Sequence, residues 1–351
     1  MRKRVVATSL AAAALTVAGS GALAPSAQAA QARDTAAACT YRPTSLPVAN
    51  GVASGTVTAV AGGDVYAGTV SARVNGTAEP HAALWSGGAF TDLGTVPGGA
   101  ASVSVNDVNG GGVAVGSAWQ LTGGSDEGWP HGVDIPFRTR DGKLEKLPVP
   151  AGADGVVARA ITENGDIYGD GFGKDPNHNT VYLWPADKPG TVTEPAGFPV
   201  GSVVAGVDKD GTVAVTAESD PDGTWRPYVW KDGVAKALPL PAGAPNAAVT
   251  AISNGRVVGH GLTGSLDKFA VLWDKDGSVK KLSGGTDAVD INAQGLILGF
   301  GRNSLWQLTT PRGGVSGAGS LNAVAADSSL VGSASTGGDT SPRLPAVWRC
   351  G

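Results

Sequence analysis

The chain has 351 residues, of which 54 are glycine, 22 are proline and 16% are charged, and its formal net charge is −4. A mildly acidic chain argues against binding to nucleic acid or to anionic membranes, because both are bound through basic patches. The composition also argues against a disordered chain. Frequent glycine and proline indicate many short strands joined by tight turns.

The N-terminal segment has the layout of a secretory signal peptide over residues 1–29. Residues 2–4 are basic, 5–24 form an uncharged stretch rich in Ala, Val and Leu, and 27–29 supply the small residues that a signal peptidase requires. A retained membrane anchor is the alternative, although Pro25 and the nearby glycines suit a spanning helix poorly. We therefore predict a secreted protein that loses this signal and does not insert into a membrane afterwards.

The two cysteines, Cys39 and Cys350, lie at opposite ends of the mature chain. In an exported protein such a pair forms a disulfide more often than a metal site or a redox centre. Attachment of a lipid to Cys39 is the alternative, because 36–39 resembles a lipobox, but this cysteine lies well beyond the apolar stretch. We predict a disordered linker over 30–38 and a single domain over 39–351.

A recurring pattern runs along this domain: an apolar residue, a small polar residue, a turn, and an apolar strand that ends in glycine. Its clearest copies are 161–169, 291–299 and the shorter 252–259. Looser copies end at Gly68, Gly116, Val215 and Gly332. After each copy come a variable loop and a strand with a bulky aromatic residue near its end. These aromatic residues are Trp85, Phe137, Trp184, Trp230, Trp273, Trp306 and Trp348.

The spacing of the aromatic residues identifies the fold. Successive ones are 33 to 52 residues apart, which fits propeller blades of roughly 40–45 residues with four strands each. Asn-Gly and Asp-Gly pairs between the short runs are hairpin signals, and no segment has a helical apolar period. The sequence therefore predicts an all-β fold, a seven-bladed β-propeller with four-stranded blades.

The two chain termini complement each other. The seventh repeat ends at 345–350 without a fourth strand, and 39–47 has the form of a fourth strand ahead of the first complete repeat. We predict that the N-terminal strand closes the last blade and brings Cys39 close to Cys350. An open solenoid is the rival architecture, but it requires dissimilar polar caps at its two ends. Complementary half-blades favour the closed ring.

The segment 80–116 carries a motif that points to a known family. It contains His81-Ala82-Ala83, followed by a Trp, a glycine-rich turn and a strand that ends in glycine. This segment resembles the bacterial extracellular HAF repeat, named for a His-Ala-Phe tripeptide; elsewhere only the pattern is shared. The resemblance implies an exported, propeller-like repeat protein, and it implies no activity and no catalytic residues.

Enzyme signatures are mostly absent from the sequence. It has no Gly-x-Ser-x-Gly, no His-Glu-x-x-His and no lysine-containing phosphate loop. The match of 259–264 to Gly-x-Gly-x-x-Gly lacks the helix that a dinucleotide site requires. Fragments at 208–211, 220–223 and 274–277 resemble calcium loops but lack the later ligands, so they are interpreted as β-turns. We predict no catalytic residue, no metal and no cofactor.

The innermost strands of a propeller line its funnel, where propeller enzymes gather carboxylates. Here those strands are small and apolar, and only Arg159, Asp287 and Asp290 bring charge to them. Three unpaired charges do not make a hydrolase.

The longest predicted loops join the second and third strands of blades two, three and four, over 119–130, 170–179 and 217–226, and they emerge on one face. They hold the three tryptophans outside the repeat positions together with several carboxylates. The candidate binding residues are Trp119, Asp126, Glu127, Trp129, Asp170, Asp175, Asp220, Asp222 and Trp225. Exposed aromatic rings beside carboxylates suit a sugar-binding or protein-binding surface. The alternative is that these rings form a lid over the core.

These observations favour a secreted, non-catalytic protein that acts in binding or as a scaffold. We expect a monomer whose partner is a cell-surface glycan or a protein, and not nucleic acid. The competing hypothesis is a glycan-active hydrolase or lyase with its acids in the central funnel. A purely structural product without a ligand is the third.

Overall fold

The computed structural model describes residues 40–126, 129–173, 178–219, 223–300, 304–312, 315–316, 319–335 and 342–351. For 125, 126, 129, 130 and 219 the description covers the backbone alone. The predicted signal peptide, the predicted linker and Cys39 lie outside the described residues. Within the described ranges, no helix is long and apolar enough to cross a membrane.

The described chain forms seven antiparallel sheets around one axis. In blades 1 to 6 the strand nearest the axis comes first in the chain. Blade 1 comprises β2 (Val52–Val60), β3 (Val65–Val74), β4 (Thr77–Ser86) and β5 (Ala89–Gly94). Blade 2 comprises β6 (Ser102–Val108), β7 (Ala114–Asp126), β8 (Trp129–Arg140) and β9 (Lys143–Lys146). Blade 3 comprises β10 (Asp154–Ile161), β11 (Ile167–Phe172) and β12 (Asn179–Trp184).

The remaining blades continue in chain order. Blade 4 comprises β13 (Val203–Val207), β14 (Val213–Ser219), β15 (Thr224–Lys231) and β16 (Val234–Ala237). Blade 5 comprises β17 (Asn246–Ser253), β18 (Arg256–Leu262), β19 (Lys268–Trp273) and β20 (Val279–Lys281). Blade 6 comprises β21 (Ala288–Ile291), β22 (Leu296–Gly299), β23 (Leu305–Gln307) and β24 (Thr310–Pro311). Blade 7 comprises β25 (Gly319–Val324), β26 (Leu330–Ser335), β27 (Arg343–Cys350) and, outermost, β1 (Tyr41–Ser45). The predicted seven-bladed β-propeller is confirmed.

The ring closes where the two chain ends meet. β1 pairs antiparallel with β27, with Tyr41 opposite Cys350, and the Leu46 N–H donates to the Pro345 carbonyl at 2.8 Å. The predicted closure of the last blade by the N-terminal strand is therefore confirmed, and the open solenoid is excluded. Because Cys39 lies outside the described residues, its bond to Cys350 stays a prediction.

Blade 3 departs from the four-strand pattern at its outer edge. One isolated bridge stands in place of a fourth strand, and in it Leu183 and Thr193 exchange backbone hydrogen bonds of 2.9 Å. Pro195, two residues later, has no N–H with which to continue the ladder. The outer ladder of this blade therefore stops after a single bridge.

The repeat tryptophans fasten each blade to the segment that enters it. Each indole N–H donates to a backbone carbonyl of the preceding connection at 2.7–3.0 Å: Trp85 to Pro47, Trp184 to Pro148, Trp230 to Ala196, Trp273 to Pro239, Trp306 to Ser283 and Trp348 to Ser316. All six rings are buried. Large aromatic side chains contribute much of a core's buried area. One such residue at the equivalent place in each of these six blades accounts for their regular spacing in the sequence.

Blade 2 places its aromatic residue differently. In the other blades the tryptophan lies opposite the residue two positions before the end of the repeat pattern. In blade 2 the corresponding residues are Ala114 and Thr139, and the Ala114 N–H donates to the Thr139 hydroxyl at 2.9 Å. Phe137, which sequence order groups with the tryptophans, lies two residues earlier, opposite Gly116. Side chains two residues apart share a face of a strand, so Phe137 fills the same core from a shifted position.

In five blades the glycine that ends the repeat pattern lies against the backbone of the inner strand, whereas blade 4 has Val215 at this place. A Cβ on Gly259 would lie 2.0 Å from the carbonyl oxygen of Ala248. The same contact, at 1.9–2.1 Å, occurs at Gly68, Gly116, Gly169 and Gly332. Atoms at that distance overlap, so a larger residue forces the two strands apart. Close approach of the backbones, rather than an unusual backbone angle, thus selects glycine here.

Strand direction sorts the connections to the two ends of the ring. Successive strands of a blade are antiparallel, so the turns from first to second and from third to fourth strand share one end, which we term the short-turn end. The connections from second to third strand, and from one blade to the next, share the other, which we term the long-hairpin end. The three predicted long loops lie at the long-hairpin end, although strand structure extends far into them, as β7 and β14 show.

Candidate functional site

The axis of the ring is a channel that contains a cavity of about 440 Å³, lined by the inner strands of all seven blades. Each inner strand has a β-bulge at the equivalent residue. The bulged residues are Thr58, Asn106, Arg159, Ala205, Thr250, Val289 and Asn322. All of them line the cavity, because a bulge re-aims a side chain out of the regular alternation.

Polar side chains at the bulges bind backbone of the following blade. The bonds run from Thr58 to the Val105 carbonyl, from Asn106 to that of Ala158, from Thr250 to that of Ala288 and from Asn322 to that of Val57, at 2.5–2.8 Å. Each bond satisfies a carbonyl that the irregular ladder leaves open. These residues therefore join neighbouring blades around the axis.

Two carboxyl groups, Asp107 and Asp290, follow bulged residues directly and line the same cavity. Asp107 accepts two backbone N–H groups at 2.8 Å, one from Val108 in its own blade and one from Ile161 in blade 3. Asp290 makes the equivalent two bonds, within blade 6 and to blade 7, also at 2.8 Å. Burial raises the pKa of Asp107 to about 7 and that of Asp290 to about 6, although these backbone bonds lower both. Both acids are links between blades.

The sequence predicted the charges of the inner strands only in part. Asp107 was missed, although it follows a bulged residue just as Asp290 does in the repeat. Asp287 lies one residue before β21, and its carboxylate bonds Nδ1 of His260 at 3.0 Å. Each oxygen atom of Asp107 and Asp290 accepts one backbone N–H, so both carboxyl groups support the structure around the cavity that they line.

The predicted position of Asp170 in an exposed loop requires correction. Asp170 lies in β11 and is 2% exposed. Its carboxylate contacts Nε and Nη2 of Arg159 at 3.1 and 3.2 Å and accepts the Val204 N–H at 2.9 Å. Burial raises the pKa of Asp170, while Arg159 and that N–H lower it. Arg159 lines the channel, and Asp170 is buried beside it on the second strand of the blade.

The candidate aromatic residues lie in strands near the long-hairpin end and differ in exposure. Trp225, in β15, is 47% exposed, and the neighbouring Phe172 is 42% exposed. Trp119, in β7, is half-buried, and its indole covers Gly132, whose Cβ, if present, would meet the ring at 2.5 Å. The lid hypothesis thus suits Trp119 in part, while Trp225 is accessible to a partner.

Several candidate residues lie wholly or partly outside the described structure. Glu127, Asp175, Asp220 and Asp222 are outside the described residues. For Asp126 and Trp129 the backbone alone is described, and it places them opposite each other at the tip of the β7–β8 hairpin. The structure therefore brings Trp119, Trp129 and Trp225 to one end of the ring, and it takes Asp170 away from that surface.

Exposed large apolar side chains concentrate at the long-hairpin end. Among the described residues nine are exposed, and eight of these lie at this end: Leu121, Val133, Val149, Phe172, Val200, Trp225, Leu266 and Phe300. The ninth, Val234, lies at a turn of the short-turn end. Single exposed apolar residues are ordinary on a protein surface, whereas their segregation to one region is a feature of interaction sites.

The segments that resemble calcium loops are turns where the structure describes them. In 208–211 and 274–277 the glycine N–H donates to the first Asp carbonyl at 2.9 and 3.0 Å, and 220–223 lies mostly outside the described residues. The buried Asp208 carboxylate accepts the N–H groups of Asn254 and Gly255 at 2.9 and 2.6 Å, so it ties the turns of blades 4 and 5 together. Among the described residues, no three His, Cys, Asp or Glu side chains are grouped to hold a metal.

Comparison with known proteins supports the fold and leaves the activity open. No protein-family model and no curated protein sequence matches the chain. The propeller domain of the trilobed protease from Pyrococcus furiosus is 13% identical, with 85% of this chain and 94% of that one covered and a TM-score of 0.56. Streptogramin B lyase is 11% identical, with 89% and 98% covered and a TM-score of 0.54.

A third similar structure is acylaminoacyl peptidase from Pyrococcus horikoshii, 12% identical, with a TM-score of 0.54. The alignment covers 84% of this chain and 51% of that one, so the chain spans about half the length of the peptidase. At such identities the likeness establishes the propeller fold alone. The activities of these proteins differ from one another, as expected of a fold that hosts many functions.

Proposed function

We propose that this chain is a secreted, non-catalytic propeller that binds a cell-surface glycan or protein, or acts as a scaffold for one, through its long-hairpin end. The segregation of exposed apolar side chains carries the proposal, since eight of the nine among the described residues lie there. The tripartite N-terminal segment and the HAF-like segment at 80–116 favour export. A partner covering these side chains gains from their removal from water.

The proposal includes a disulfide between Cys39 and Cys350. The pairing of Tyr41 with Cys350 supports it, because it brings the chain two residues after Cys39 next to the last strand. A cross-link that closes a loop of this length stabilises by up to about 5 kcal/mol in the loop-entropy treatment. Such a bond suits a chain exported to an oxidising compartment.

The binding surface is tested by sedimentation with purified bacterial cell walls, before and after protease treatment strips their surface proteins. The wild-type chain is expected to sediment with the walls, and stripping separates a glycan partner from a protein partner. Trp225→Ala combined with Trp129→Ala is expected to lower retention at least tenfold, because central aromatic anchors dominate interface energetics. Val234→Ser, at the short-turn end, is the matched control. Equal retention of the double variant and the control, at equal stability, would defeat the proposal.

A further inference from the structure

Three successive blades each bring an aromatic residue and a carboxylate together at the long-hairpin end, on the second and third strands in blades 2 and 4 and on the first and second strands in blade 3. In each, an aromatic residue and a carboxylate lie directly opposite each other on neighbouring strands: Trp119 and Asp134 in blade 2, Phe172 and Asp154 in blade 3, and Trp225 and Glu218 in blade 4. Residues opposite each other in an antiparallel pair project from the same face, with Cβ atoms about 5 Å apart. We term these three the aromatic–acid pairs.

The aromatic–acid pairs are accessible. Trp225 and Phe172 are exposed, as are their partners Glu218 and Asp154, and the Trp119–Asp134 pair is half-buried. The position of Trp119 over Gly132 is consistent with this face, because Gly132 is two residues from Asp134 on the same strand.

The carboxylates of these pairs lack a cation within the described parts of the chain. Asp134, Asp154 and Glu218 form no ion pair there, in contrast to Asp170, whose partner is Arg159. Burial raises the pKa of Asp134, and the guanidinium of Arg159 offsets only part of this shift. Arg159 is already held by Asp170, so it does not neutralise the surface. Arg226, next to Trp225, projects from the other face of β15 by strand alternation.

A ring face beside a carboxylate is a binding element for an organic cation. The face of an aromatic ring attracts an ammonium or guanidinium group by about 0.5–2 kcal/mol, according to its exposure, and the adjacent carboxylate adds a charge-assisted hydrogen bond. The charge of the whole chain favours the same ligand, because loss of the signal peptide leaves 23 basic against 30 acidic residues. Long-range attraction then steers a basic partner to this surface.

The apolar side chains between the pairs distinguish a peptide from an amino-sugar polymer. Leu121, Val133, Val149 and Val200 are exposed around the three pairs. Aliphatic groups of this kind pack against the hydrocarbon stems of Lys and Arg and against apolar peptide side chains. A sugar ring, in contrast, uses flat aromatic faces and hydrogen-bonding groups.

We infer that the long-hairpin end recognises a basic, partly apolar peptide segment of a partner protein, whose Lys and Arg side chains each engage one aromatic–acid pair. This inference rests on the proposed function and assigns the chemical class of the partner. Specificity arises because the three pairs present repeated cation sites along consecutive blades.

The probe is a fluorescein-labelled 12-residue peptide in which Lys alternates with Val and Leu, measured by fluorescence anisotropy. Its matched analogue carries acetyl-lysine at every Lys, which keeps the stem and removes the charge. We expect the analogue to bind at least tenfold more weakly, and the basic peptide to weaken at least fivefold between 20 and 200 mM salt as screening grows. A hexamer of glucosamine is the third ligand.

The triple variant Asp134→Asn, Asp154→Asn, Glu218→Gln is expected to bind the basic peptide at least tenfold more weakly than wild type. Asp141→Asn is the matched control, because Asp141 is an almost fully exposed acid at the short-turn end and its positive φ suits Asn. Equal affinity for the two peptides, equal binding by the triple variant and the control, or pair-dependent binding of the glucosamine hexamer alone overturns the inference. Cell-wall retention that depends on Trp225 but not on the three acids leaves the proposed function standing and overturns the basic-peptide assignment.

Discussion

The channel wall and the long-hairpin end both carry carboxylates, but they treat them in opposite ways. In the wall, Asp107 and Asp290 each accept two backbone N–H groups, and the wall residue Arg159 is paired with the buried Asp170 next to it. At the long-hairpin end, Asp154 and Glu218 lie exposed beside aromatic rings.

This difference shows that the location of an acid in a funnel says little about its role. A buried charge persists only if it is paired or hydrogen-bonded, so the acids of the wall are bound to the structure that buries them. An exposed charge has no such requirement. The exposed acids of the long-hairpin end are therefore better placed to bind a ligand than the acids of the channel wall. Substitutions in each set test this contrast through their effects on the free energy of unfolding.

The largest effect is expected from Asp170→Ala. The change leaves the Arg159 guanidinium without its partner and the Val204 N–H without its acceptor, so we expect the free energy of unfolding to fall by about 3 kcal/mol. The value lies at the low end for a broken buried pair, because the Arg159 side chain is 38% exposed. Chemical denaturation of the wild type and the variant measures it.

Blade 4 supplies a control for that change. At the positions of Arg159 and Asp170 it has Ala205 and Thr216, and the Thr216 hydroxyl accepts the Val249 N–H at 3.0 Å. The double change Arg159→Ala, Asp170→Thr transfers this arrangement to blade 3, and we expect it to lie within about 1 kcal/mol of the wild type. A double variant as unstable as Asp170→Ala contradicts the assigned role.

A smaller effect is expected from pH. The folded-state pKa values of Asp107 and Asp290, about 7 and 6, lie above the ordinary value of 3.8. Their contribution to stability is therefore complete below pH 3.8 and is lost as the pH rises through 6 to 7. Water in the channel screens part of this effect, so we expect the free energy of unfolding to fall by about 1–2 kcal/mol between pH 5.5 and 8.

Burial also raises the pKa values of Asp170 and Asp134, so these two acids add to the fall in stability over this pH range, whereas the ion-paired acids do not. The pKa values of Asp210 and Asp274 are lowered to about 2 by their ion pairs with lysine, so their contribution is lost only under more acidic conditions. Asp107→Ala with Asp290→Ala introduces the residue found after the bulge in blades 1, 3, 5 and 7. The double change is expected to remove the part of the slope that these two acids contribute. Chemical denaturation at the two pH values measures it. A wild-type chain whose stability rises with pH over this range contradicts the expectation.

The sequence predicts the ring well, because its repeat carries both a spacing and a chemistry. The strands that contain Trp348 and Tyr41 show this best. The last repeat lacks a fourth strand after Trp348 and an extra strand precedes the first repeat at Tyr41, so the sequence alone indicates that the two pair. The spacing of the core aromatic residues stays recognisable in the sequence although the loops between them differ in length. The shift at Phe137 shows the limit, since only strand register reveals that Thr139 holds the tryptophan place.

The candidate site is less predictable because it depends on register and on bulges. Asp170 follows a repeat glycine and begins a segment of polar residues, so its sequence resembles a loop; the bulge at Arg159 that buries it is set by contacts between blades. Likewise, Trp119 and Asp134 are 15 residues apart in the chain, and only the pairing of β7 with β8 places them side by side. The candidate residues from the sequence include Trp119 and Trp225 of these pairs, but none of the acids Asp134, Asp154 and Glu218.

The smallest effect is expected from the acids of the aromatic–acid pairs. Asp154→Asn and Glu218→Gln remove exposed charges that have no cation partner among the described residues, so we expect each to change the free energy of unfolding by less than about 0.5 kcal/mol. Asp208→Asn, a change of the same kind in the short-turn end, is the comparison. It places an amide N–H₂ against one of the backbone N–H groups that the buried Asp208 carboxylate accepts, and a loss of about 1–2 kcal/mol is expected. Urea denaturation of the three variants ranks them, and losses of similar size at both ends would mean that the exposed acids also support the fold. In that case binding of a cationic partner would cost free energy, because these carboxylates would have to give up contacts that stabilise the fold.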